Sequence, residues 1–181
     1  VEGCKALAFR PRLAVRLKGA TGRTGHPALK AVVTYPKKGA YANIRRAQVN
    51  RPHSEFIDQT NLDKVCTRPV LLEGRCPKAS IYGRAKAWTP LLEKPLEGNV
   101  YLVGGYGFKL PARVAELNGR LRILLVGKID SGPNKGIRST FEVVPDAPVS
   151  KFVLEMKGGK KYGLLENSED LCKGTRHANA R

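Results

Sequence analysis

Four cysteines are the residues best suited to covalent chemistry in this sequence. Cys66 and Cys76 bracket nine residues, while Cys4 and Cys172 stand near the two ends of a 181-residue chain. The count is even, and no spacing matches a metal knuckle or a redox Cys-x-x-Cys. The pattern reads as two disulfides, Cys66–Cys76 and Cys4–Cys172, which would persist outside the reducing cytosol. The long bridge would clasp the chain ends together and leave the tail after Cys172 free to reach neighbours. The alternative this count leaves open is four buried thiols in a reducing compartment.

Other chemistry is thinly represented. The three histidines, His26, His53 and His177, show no HxH, HxxxH or HExxH spacing, so neither a metal nor an organic cofactor is expected. His53, Ser54, Glu55 and Asp58 contain hydrolase residue types. A catalytic serine, however, meets its base across a fold rather than as an adjacent His-Ser pair. Val103–Phe108 is glycine-rich but lacks the Lys-Ser/Thr of a phosphate loop, and a tight aromatic loop fits it better. No pair of carboxylates stands out for glycosidic chemistry. The sequence gives no support for an enzyme.

The charge balance points to binding. Thirty-three Lys and Arg against fifteen Asp and Glu give a net charge of +18, a field that attracts polyanions such as anionic glycan or DNA. The basic residues are scattered rather than blocked. The most specific feature is Tyr82, Arg84, Lys86 and Trp88, whose i, i+2, i+4, i+6 spacing places them on one face of a strand. Cations interleaved with aromatics can hold single-stranded nucleic acid or sugar chains. The same residues also suit an amphipathic strand packed at its aromatic ends.

The elements that must position these residues are strands. Apolar residues alternate with polar ones over Arg12–Lys18, Ile137–Val144 and Lys151–Met156, with Gly or Pro breaks between them, an all-β signature. Further strands are expected over Ala28–Tyr35, Tyr41–Asn50, Ser80–Trp88, Asn99–Val103, Ala112–Leu117 and Leu121–Asp130. Asn118-Gly119 predicts a tight type I′ hairpin. Pro11 and Pro90 belong at edges or bulges. Gly158–Tyr162 reads as a hairpin with a basic tip, and Asp58–Val65 as the one helical candidate. The expected fold class is an all-β, disulfide-stapled antiparallel β-sandwich with at most one or two short helical turns. It forms one domain over 1–181, with a sub-lobe boundary near 90–95 as the alternative. No run approaches the ~18 apolar residues of a membrane helix. The start at Val1 fits a mature chain or a fragment of a longer one.

Several segments resemble a known family. They are Gly-His-Pro-Ala-Leu at 25–29, Ser-Glu-Phe-Ile-Asp-Gln at 54–59, Cys-Thr-Arg at 66–68 and Cys-Pro-Lys-Ala-Ser at 76–80. Val-Gly-Lys-Ile-Asp-Ser at 126–131, Val-Pro-Asp-Ala-Pro at 144–148 and Asp-Leu-Cys at 170–172 complete the set. Together they resemble the repeat domain of large, uncharacterised secreted proteins of actinobacteria. The resemblance implies an extracellular β-rich module, usually among other modules, with no assigned activity. Such domains typically continue past the last cysteine into another strand, where this sequence has Thr-Arg-His-Ala-Asn-Ala-Arg. The expected function is therefore a secreted structural or surface-assembly role, with partners that are further copies or neighbouring modules. Thr175, His177, Ala178, Asn179 and Ala180 would form the strand that pairs with a neighbour, in filaments or a surface layer. The alternative is a cell-envelope module binding anionic polysaccharide or extracellular DNA.

Overall fold

The computed structural model describes residues 7–36, 41–132 and 135–181. Cys4 and the interior of the turn expected at Ser131–Gly136 lie outside the described residues. Thirteen strands follow in chain order: β1 (Arg12–Lys18), β2 (Ala28–Thr34), β3 (Ala47–Asn50), β4 (Glu55–Ile57), β5 (Cys66–Thr67), β6 (Ile81–Trp88), β7 (Leu96–Gly104), β8 (Ala112–Asn118), β9 (Arg122–Ser131), β10 (Ile137–Phe141), β11 (Lys151–Met156), β12 (Leu165–Asn167) and β13 (Asn179–Ala180). One large sheet has the order β1-β2-β11-β6-β7-β8-β9-β10-β3-β13, nearly closed on itself, with β5 added beside β7. β12 and β4 form a second, two-stranded sheet. The all-β, disulfide-stapled architecture matches the sequence expectation.

Alternation decides which residues fill the interior, because successive side chains of a strand point to opposite faces. Leu29 on β2, Leu154 and Met156 on β11, Ala85 and Ala87 on β6, Val100 and Leu102 on β7, and Ala115 and Leu117 on β8 form the main core. Leu164 and Leu165 join it from the segment that enters the small sheet. The opposite face of β7 and β8 carries Tyr101, Val103, Ala112 and Val114, which need a separate cover. That cover is α1 (Arg68–Leu72), with Leu71 buried and Cys66 beneath it. The Cys66–Cys76 disulfide ties down this cap, its Cα atoms 5.5 Å apart. Arg122 donates to the carbonyls of Leu71 and Leu72 at the end of α1. The cap extends over β7 to β9, so the outer face of β1, β2, β11 and β6 stays open.

Several local expectations are corrected. Asp58–Val65 is not a helix: Asp58 caps a single 3-10 turn at Gln59–Asn61. The helix is α1, which begins at a proline-containing turn after Thr67. The hairpin at Asn118-Gly119 forms, but Asn118 pairs with Arg122, leaving a three-residue loop in place of the tight turn. A side chain at Gly119 would press on the Leu96 terminal methyl, which would have to shift. Gly158–Tyr162 is not a hairpin, since it passes the chain from β11 in the large sheet to β12 in the small one. Pro11 immediately precedes edge strand β1, and Pro90 lies in the turn between β6 and β7, both in keeping with their inability to donate a ladder hydrogen bond.

Candidate polyanion interface

The register of four neighbouring strands arranges the open face into rows that run across the sheet. One row joins Arg16 on β1, Lys30 on β2, Glu155 on β11 and Arg84 on β6. The next joins Ala14, Val32, Val153 and Lys86, and continues to Glu97 on β7. The third joins Arg12, Thr34, Lys151 and Trp88. Within a row, neighbours are about 4.8 Å apart; successive rows are roughly 7 Å apart, two residues along a strand. Lys18 extends the basic rim of β1.

Two carboxylates offset part of this charge. Lys30 Nζ lies 2.6 Å from Glu155 Oε1, and Lys86 Nζ lies 2.8 Å from Glu97 Oε2. The contact with Lys86 holds the Glu97 carboxyl below its ordinary value. Among the described residues, Arg12, Arg16, Lys18, Arg84 and Lys151 form no ion pair with a carboxylate. Lys151, and Lys86 in addition to its ion pair, sit over the Trp88 ring, at 4.9 and 5.3 Å from its centroid. A shallow recess of about 250 Å³ opens in this face, lined by Arg84, Lys86, Glu97, Gly98, Val153 and Glu155, with Ala85 at its floor.

Three of the four residues expected on one strand face are therefore together, and Tyr82 is not. The ladder between β6 and β7 shifts register between Ile81 and Gly83, a bulge that turns Tyr82 inward. Its ring is fully buried and its hydroxyl donates to the Asn61 carbonyl. Burial raises the Tyr82 hydroxyl above its ordinary pKa. Strict period-two counting could not reveal this, because a bulge changes the parity on one side of it. Gly83 marks the place: a side chain there would strike the Glu155 carbonyl of β11.

A second polar cluster lies at the other end of the core. His26 Nε2 is 2.8 Å from Asp58 Oδ2 and 3.8 Å from Glu166 Oε2. These three side chains could hold a metal ion, a grouping invisible to ligand spacing because the residues come from three distant segments. Asp58, however, is already engaged. Its Oδ1 accepts from Thr60 N at 2.9 Å and Thr60 Oγ1 at 2.6 Å, and its Oδ2 also accepts from Asn61 Nδ2 at 3.1 Å. Burial alone would raise the Asp58 carboxyl, but hydrogen bonds from Thr60 and His26 outweigh it and hold the group below its ordinary value. The arrangement is a latch that fastens the loop carrying His26 to the turn carrying Asp58.

His53, Ser54 and Asp58 do not assemble as a hydrolase. Ser54 is fully buried, and Asp58 meets His26 rather than His53. Neighbouring Glu55 forms a buried ion pair with Arg51. Arg113 is buried nearby and pushed down to about 10 by burial and by the Arg51 charge. The Val103–Phe108 loop is the expected aromatic turn: Gly105 and Gly107 take left-handed conformations, Tyr106 stacks with Phe108 at 6.2 Å, and Arg68 lies over Tyr106.

The chain was also compared with known proteins. It matches no family model, no curated protein and no solved structure.

The remaining sequence-predicted residues lie at the termini. Cys172 is exposed, with its Sγ 3.5 Å from Thr21 Oγ1; its expected partner, Cys4, lies outside the described residues. Of the expected assembly strand, Asn179 and Ala180 form β13, which pairs with Asn50 and Val49 of β3 in the same chain. Gln48 and Arg181 exchange main-chain hydrogen bonds of 2.9 Å. Thr175, His177 and Ala178 are exposed and precede the strand. Every residue from Lys173 to Arg181 is exposed; Arg176 pairs with Glu169 at 2.8 Å, and β13 itself is joined to β3 by main-chain hydrogen bonds.

Proposed function

We propose that this protein is a non-catalytic extracellular module that holds an anionic polymer on the open face of β1, β2, β11 and β6. One observation carries the reading: seven cationic side chains converge on a single uncapped sheet face against two carboxylates, although the same charges look scattered along the sequence. A binding face needs such an excess, since counterion release from the polymer supplies most of the affinity. The disulfide and the absence of a membrane-spanning helix among the described residues are compatible with an extracellular setting.

Replacing Arg84 and Lys86 together by Ser tests it. The slope of log affinity against log salt for a polyanion probe such as polyphosphate is expected to become shallower by about two, one for each lost contact. Unchanged affinity and slope would return the face to solvated surface.

A second reading, assembly through the C-terminal strand, is favoured by the way β13 lies on β3. A strand held by main-chain bonds alone can be supplied by another copy or another module, and its own outer edge can accept a further strand.

A further inference from the structure

We infer that the ligand of the open face is an acidic polysaccharide whose chain runs across the strands, along the row Ala14–Val32–Val153. This rests on the proposed function and names the class of polymer. The middle row is aliphatic at three successive strands, with Ala14 exposed and Val32 and Val153 half-buried, and ends at the Lys86–Glu97 ion pair, while the rows on either side carry the other cations. An apolar strip between two charged borders fits a polymer with an apolar ring face and anionic groups projecting to both sides. A polyuronate has that form: its pyranose C–H faces can lie on the valines while its carboxylates reach Arg16 and Arg84 on one side and Arg12 and Lys151 on the other. Each sugar advances the chain by about one interstrand spacing, ~4.8 Å, so successive rings meet successive strands. Polyphosphate has no apolar face to place on the strip. Single-stranded nucleic acid needs a run of aromatic platforms, whereas Trp88 is the one aromatic on the described outer face of these four strands and both of its neighbouring contacts are ammonium groups.

The test compares three probes of matched charge, an alginate oligosaccharide, polyphosphate and oligothymidylate, on the wild-type protein and on Val32→Thr/Val153→Thr. Threonine keeps the β-branched shape and the charge, and retention of the melting transition shows that the sheet is intact. Wild type is expected to prefer alginate, and the double variant to lose about tenfold in alginate affinity, with polyphosphate affinity and the salt slope unchanged. Equal wild-type affinity for alginate and polyphosphate, or a preference for oligothymidylate, overturns the inference and leaves an electrostatic face. An unchanged alginate affinity in the variant does the same. Binding of none of the three at low salt overturns the proposed function as well. The wild-type comparison decides the matter even if the variant fails to fold.

Discussion

Asp58 is the residue on which the lower end of the fold turns, and its hydrogen bonds make it acid-sensitive. Its carboxyl is held below the ordinary value in the folded chain, as is that of Asp130, gripped by Arg138 at 2.6 and 2.9 Å. A depressed carboxyl stabilises the fold above its unfolded value of about 3.9, and that stability is lost as pH falls through the folded value. Melting temperature should therefore drop steeply below about pH 4. Asp58→Asn should be less stable at neutral pH and should show a shallower acid decline; an acid limb parallel to wild type would show that Asp58 is not responsible. At this scale the sequence was only partly legible. Arg84, Lys86 and Trp88 were placed correctly by counting, because the β6 ladder is regular beyond Gly83. The partnership of His26 with Asp58 was not, since a contact across 32 residues leaves no periodic trace.

Among the elements, β13 carries the sharpest consequence. In an antiparallel pair, N–H groups point alternately toward and away from the partner strand. Arg181 N–H faces β3, as does that of Asn179 two residues before it, so the N–H groups of Ala178 and Ala180 face outward. Proline lacks that donor. Asn179→Pro should free the tail from β3, seen as faster amide exchange at Gln48, while leaving the main melting transition in place. Ala180→Pro should leave the tail docked and block only pairing on its outer edge. If the two variants release the tail equally, the assigned register is wrong; if Ala180→Pro leaves particles formed by the wild type unaltered, the outer edge plays no part in assembly. The strands themselves were legible because their alternation is strong. The cap was not: α1 is five residues long, too short for helical periodicity to register.

At the scale of the whole molecule, the sheet's exterior divides by cover and by charge. The disulfide-tied cap covers one part of the sheet's exterior, and the basic rows occupy the part left open. Composition announced the charge but not its location, because Arg16 and Arg84 share a row only once β11 has come between β2 and β6. That insertion is a long-range pairing, and no local pattern encodes it.

The same insertion sets an order of events during folding. β6, β7, β8, β9 and β10 are sequential neighbours joined by hairpins, so they can zip with little loop-closure cost. The β1–β2 hairpin has no such route: Thr34 must find Lys151, and the interior flank of β2 stays unpaired until then. Non-local pairing of this kind slows folding. Pulse-labelled hydrogen exchange should protect Val100, Ala115 and Leu125 before Val33 and Leu154, whose N–H groups lie between β2 and β11, and simultaneous protection would refute the order. A chain emerging from its N-terminus would thus hold its first hairpin open until β11 had followed. During that interval the facing edges of β2 and β6 are both unpaired and open to pairing with another chain.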